Sequence, residues 1–106
     1  SRGLGDVYKR QVVNISVEGL QLDGAKTATE VEETFRSALI EYYITAKADS
    51  LVKYNEIHAA LTRTEGVKNF SKVLVNGDVK DIPLDPADYP CTGEIHGIKD
   101  TEATSE

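Results

Sequence analysis

The sequence predicts an α+β fold: two helices packed on one face of a small, mostly antiparallel β-sheet, in the order β-α-α-β-β-β. Three observations carry that prediction. Residues 13–18 alternate apolar and polar side chains with period two, as a half-buried strand does. Two later segments repeat apolar residues at three- and four-residue steps, as surface helices do. An Asn76-Gly77 pair then separates two short runs of alternating apolar residues, which is the strongest short-range hairpin signal. Because strands and helices do not alternate strictly, a doubly wound parallel sheet is disfavoured.

The first strand is read from "VVNISVEGLQL". Val13, Ile15 and Val17 share one face, and Asn14, Ser16 and Glu18 share the other. Gly19 permits a bulge or bend, Leu20 and Leu22 extend the pattern, and Asp23-Gly24 closes it with turn chemistry. Thr27 and Glu30 fit a capping box, in which the hydroxyl accepts from the N3 amide and the carboxylate reaches back to the cap. Glu30, Glu32 and Glu33 then suit the positive end of a helix dipole. Val31, Phe35, Ala38, Leu39, Tyr42 and Ala46 form one apolar stripe, with Glu32, Glu33, Arg36 and Lys47 off it, and fraying is expected around Lys47. On that spacing Tyr42 belongs to the core and Tyr43 faces outward.

"LVKY" reads as a short extended connector. Asn55 is the expected cap of a second helix, "EIHAALTRTE", with Ile57, Ala60 and Leu61 on its apolar face. Gly66 is the expected C′ residue, and Val67 is placed to pack back onto the last turn. In the hairpin "NFSKVLVNGDVKDIPL", Val73 and Val75 share one face of the first strand, and Ile82 and Leu84 share one face of the second. Leu74 points the opposite way, toward a covered side or a partner. "DPADYP" reads as a loop, and "CTGEIHGI" as a last short strand with Cys91, Gly93 and Ile95 on one side. The first strand is expected beside the hairpin, reached by the helical crossover.

Composition sets the outer bounds. A chain of 106 residues holds one domain. Its net charge of -6 argues against a grip on nucleic-acid phosphates or anionic lipid. A single cysteine, Cys91, cannot make an internal disulfide. No apolar run approaches the roughly 20 residues of a membrane helix, and no signal-peptide pattern is present. Met is absent, so the true N-terminus is expected to lie elsewhere. Residues 1–11 include "DVYKRQ", which matches one reading frame of the transposase mosaic end used in DNA sequencing libraries. They are read as an artefact rather than a native basic arm, and are set aside from the fold. What remains carries 9 basic and 17 acidic residues, near -8. The expected organisation is one α+β domain over residues 12–98, the C-terminal module of a longer protein, followed by a disordered acidic tail over 99–106.

The residues offer no catalytic, cofactor-binding or metal-binding constellation. His58 lies one residue off the second apolar stripe and His96 lies near the tail. With Cys91 they would make a ligand set only if distant segments met, and no close-spaced ligand pair is present. Asp78, Asp81, Asp85 and Asp88 do not match an EF-hand and read as a solvated edge that discourages aggregation. "EGLQLDGAK" is neither a P-loop nor a dinucleotide fingerprint. The weak candidates for an interface are Tyr43 and Leu74.

Taken in order, "VNISVEGLQLDGAKTATEVEETFRSALIEYY", "VKYNEIHAALTRTEGVKNFSKVLVNG" and "DIPLDPADYPCTGEI" resemble the C-terminal region of baseplate J-like proteins, wedge components of contractile phage tails and related tail-like particles. The resemblance lies in Glu41-Tyr42-Tyr43, Val52 to Ile57, Gly66-Val67, Val73 to Gly77 and Tyr89 to Ile95, and it spans nearly all of residues 12–95. One departure is Pro90-Cys91-Thr92, where the family more often has an apolar run. The resemblance implies a structural role without substrate or cofactor. It further implies contacts with other wedge and hub proteins, and residence in a virion tail assembled in bacterial cytoplasm. The alternative is a small ligand-binding or regulatory α+β domain of a bacterial protein. A hydrolase fragment is disfavoured by the missing nucleophile–base pair.

Overall fold

The computed structural model describes residues 9–99 and shows an α+β fold. In chain order the elements are β1 (Lys9–Glu18), β2 (Gln21–Leu22), α1 (Ala28–Asp49), β3 (Leu51–Val52), α2 (Tyr54–Arg63), β4 (Val67–Asn69), β5 (Lys72–Val75), β6 (Ile82–Pro83) and β7 (Asp88–His96). The main sheet has the strand order β5-β1-β7, and two short ladders join β2 to β4 and β3 to β6.

Period-two alternation in β1 resolves as the sequence predicts. Val13, Ile15 and Val17 are buried, while Val12, Asn14 and Glu18 are exposed. Gly19 (φ 69) bends the chain out of β1, and Ser71 N–H donates to Glu18 O at 2.8 Å beside it. The Thr27 capping box forms in full: Glu30 N–H donates to the Thr27 hydroxyl at 3.2 Å and Thr27 N–H to Glu30 Oε1 at 2.9 Å. The bond from Thr27 N–H holds the Glu30 carboxyl below its ordinary range. Val31, Phe35, Leu39, Tyr43 and Ala46 of α1 are buried on one side of the helix. Phe35, Leu39, Tyr43 and Ala46 share one core with Ile57, Ala60 and Leu61 of α2 and with Val13, Ile15, Val17, Val73 and Val75 of the sheet. Both helices therefore cover the same sheet face, and the described residues on the open face, among them Asn14, Ser16 and Leu74, are exposed or half-buried.

Most of the strand pairings are antiparallel, as the sequence predicts; the exception lies in the main sheet, where β1 pairs antiparallel with β5 but parallel with β7, from Lys9↔Asp88 to Ser16↔His96. A parallel neighbour requires a crossover, which the helices between β1 and β7 supply. The last strand starts at Asp88 and not at Cys91, so Asp88-Tyr89-Pro90 of the expected loop is strand, with Pro90 buried. Opposite those three residues the pairing takes in Lys9, Arg10 and Gln11, which continue β1 without a break; residues 1–8 of the segment read as an artefact lie outside the described residues. Of the expected tail, all but Lys99 lies outside them too.

The Asn76-Gly77 turn forms, with positive φ at both residues (51° and 78°), but the hairpin closes only one bridge, Val75↔Asp78. Its expected second strand goes elsewhere: Ile82 and Pro83 pair with Val52 and Leu51, and Leu84 N–H donates to Ser50 O at 3.0 Å. This route buries Leu84 and brings Asp81 Oδ1 within 2.8 Å of Tyr54 N–H. Asp81 therefore caps α2 from afar, and the local cap residue is Lys53 rather than Asn55. At the other end of α2 the cap is Thr64, placing Gly66 (φ 98) one position beyond the expected C′. Helix α1 does not fray at Lys47. It runs to Asp49 and ends on Ser50 in the left-handed conformation, while Lys47 Nζ donates to the carbonyls of Pro86 and Asp88.

Candidate functional site: an apolar groove beside the last strand

The roles of Tyr42 and Tyr43 are reversed from the sequence expectation. Tyr43 is 2% exposed, so this interface candidate offers no free surface, and Tyr42 is only half-buried. The reversal follows from the sheet. Strand β7 lies under α1 on the Tyr43 side and places Thr92 Oγ1 2.7 Å from the Tyr43 hydroxyl. Burial pushes the Tyr43 phenol up to about 12, although the Thr92 hydrogen bond opposes that rise. Tyr42 turns toward α2, where its hydroxyl accepts from Lys53 N–H at 2.8 Å; its phenol is raised too, mainly by desolvation.

Between α1 and the edge strand β7 lies a groove of about 240 Å³, lined by Arg36, Ile40, Tyr43 and Tyr89 to Thr92. Arg36, Ile40 and Tyr43 stand four and three residues apart, on one side of the helix. Arg36 is fixed at one end, with Nε on Glu32 Oε2 at 3.0 Å and Nη1 on Gly93 O at 3.2 Å. Ile40 is 63% exposed and Ile44, one turn on, is 67% exposed. Tyr89 and Val12 are 46% and 42% exposed. Val12 pairs with half-buried Cys91, so a second apolar patch lies across β1 and β7 on the open side of the sheet. Ile40 and Ile44 were legible as an i, i+4 pair off the main stripe, the signal that sequence reasoning passed over. The other interface candidate, Leu74, lies opposite Ser16 on the open face and is half-buried.

The residues lining the groove include no histidine and no carboxylate, so Cys91 has no base beside it there. His58 lies on α2 between Phe70 (ring centroids 5.0 Å apart) and Tyr54 (6.1 Å). His96 pairs with Glu94 at 2.8 Å. Among the described residues no group of three or more His, Cys, Asp or Glu side chains could hold a metal ion. Asp78 and Asp88 serve the backbone locally: Asp78 Oδ1 accepts from Val79 N–H at 2.7 Å and Asp88 Oδ2 from Asp85 N–H at 2.9 Å. A second, open cleft of about 320 Å³ between the helices is lined by Ala38, Glu41, Tyr42, Glu56, Ala60 and Arg63. Among the described residues no helix is long and apolar enough to cross a membrane. Comparison with protein-family models and with curated proteins finds no match for the chain.

Proposed function

We propose that this chain is a structural module of a contractile-tail baseplate, joined to neighbouring wedge and hub proteins by protein–protein contacts. The observation that carries this reading is the ordered resemblance across residues 12–95, from the capped helix through Asn76-Gly77 to the last strand. The exposed Ile40–Ile44 ridge beside the groove supports it, because two large aliphatic side chains one helical turn apart suit an apolar partner surface. The ligand-binding alternative has less to stand on: small-molecule sites usually enclose roughly 300–1,000 Å³ with convergent polar groups. The groove is smaller and mostly apolar, and the larger cleft is open and lined by opposed charges.

The test begins with the intact reading frame, which should be flanked by genes for tail sheath, tube and fibres. The full-length protein should then assemble with the wedge protein encoded beside it. A double Ile40→Glu, Ile44→Glu change should leave folding stability within about 0.5 kcal/mol, since both residues are exposed. The same change should weaken the complex by about tenfold or more. Metabolic neighbours, or a full-length protein that stays monomeric and binds no wedge component, would overturn the reading.

A further inference from the structure

Asn76 is bonded to β1 at three points. Its backbone N–H donates to Asn14 O at 2.7 Å. Its side-chain Oδ1 accepts from Asn14 N–H at 2.7 Å, and Nδ2 donates to Val12 O at 3.2 Å. The carboxamide thus acts as one more residue of ladder beyond the Ile15↔Val75 pair. Asn14 carries the connection on, its Oδ1 accepting from Glu94 N–H of β7 at 2.8 Å. Asn76 and Asn14 together therefore link the three strands of the main sheet.

The chemistry of Asn76 is in tension with that role. Of the four asparagines in the chain, at positions 14, 55, 69 and 76, only Asn76 precedes glycine. Space around Gly77 is open: a Cβ built there would meet nothing within 4 Å. An Asn-Gly step is the least hindered arrangement for ring closure on the side chain. We propose that Asn76 is a deamidation site whose reactivity is held down by its clamp on β1. In the reaction the Gly77 amide nitrogen, having given its proton to solvent, attacks Asn76 Cγ. A Cγ–N bond forms, the Cγ–Nδ2 bond breaks, and ammonia leaves with a proton from water. Water then opens the cyclic succinimide at either carbonyl, leaving an aspartyl or an isoaspartyl residue in place of the asparagine; nothing is oxidised or reduced.

Closure requires the carboxamide to leave Val12 and Asn14 and the turn to rotate out of its left-handed conformation. The folded sheet opposes both movements. Once formed, the aspartyl side chain faces the Val12 carbonyl with an oxygen where a donor stood, and the isoaspartyl form lengthens the turn backbone and disturbs the Val75↔Asp78 bridge. The conversion is therefore slow in the folded chain and damaging when it occurs.

Trypsin cleavage after Lys72 and Lys80 isolates Asn76 in one peptide, so mass spectrometry reads its conversion directly. The full chain is incubated at mildly alkaline pH, folded and in urea. In urea Asn76 should convert faster than Asn14, Asn55 and Asn69. In the folded chain it should convert at least about tenfold more slowly, because two side-chain hydrogen bonds must open first. Equal folded and unfolded rates, or faster conversion of another asparagine in urea, would overturn the proposal. Separately, Asn76→Asp should lower the thermal midpoint by about 4–8 °C. An unchanged midpoint would overturn the claim that the carboxamide holds the sheet.

Discussion

Tyr43 ends 2.7 Å from Thr92 Oγ1 under α1, and its hydroxyl must stay protonated to remain buried there. The folded phenol gives up its proton at about 12, against an ordinary value of 10.0. Between those values the folded state binds more protons than the unfolded one. This contribution to stability is therefore complete below pH 10 and is lost as pH rises toward 12. Tyr42 shifts in the same direction and adds to the decline. Tyr43→Phe should flatten the loss of stability over that window, measured by urea titration at a series of pH values. It should also cost about 0.5–1.5 kcal/mol at neutral pH through the lost Thr92 bond. Gly97 shows a different constraint: φ is +91° and an added Cβ would collide with the Val17 carbonyl oxygen. Gly97→Ala should cost about 2–4 kcal/mol by the same titration, combining left-handed strain with displaced backbone.

Among the elements, α1 and α2 owe their ends to different sources. The start of α1 is local, set by Thr27 and Glu30 three residues apart. The start of α2 is tertiary: Lys53 supplies no side-chain bond, and Tyr54 N–H donates to Asp81 Oδ1 across 27 positions of sequence. Asp81→Ala should therefore lower stability by about 1 kcal/mol, as loss of an ordinary N-cap does, although Asp81 lies far from the helix in sequence. Hydrogen exchange should show faster exchange confined to the first turn of α2. Strand β7 is likewise held from α1, by Arg36 on Gly93 O and Lys47 on the Pro86 and Asp88 carbonyls. Those cations occupy acceptors that a passing strand would otherwise use, a recognised way to guard an exposed edge.

Across the whole molecule, β1 is the centre of the sheet and pairs with the strands at both edges. Residues 9–11 pair with Asp88, Tyr89 and Pro90, while the buried residues of β1, Val13, Ile15 and Val17, lie beyond them. A chain starting at Val12 should keep its core and melt cooperatively. It should lose about 1–2 kcal/mol through the missing hydrogen bonds at one end of the sheet. Loss of cooperative melting in circular dichroism would show that residues 9–11 are integral to the fold.

What the sequence determined by itself is whatever depends on neighbours within a turn or a strand. The inward face of β1, the Thr27–Glu30 cap, the buried faces of α1 and α2 and the positive φ at Asn76-Gly77 follow from side chains close enough to interact in any context. Tertiary structure decided the rest. Period-two alternation says which residues face inward but nothing of which strand lies alongside, so the parallel β1–β7 pairing and the diversion of Ile82 to β3 were illegible. Helical spacing put Tyr42 in the stripe and Tyr43 outside it, and the position of Thr92 under α1 reversed the two. The groove beside Ile40 exists because β7 lies under α1, an arrangement formed by residues some fifty positions apart that no local pattern encodes.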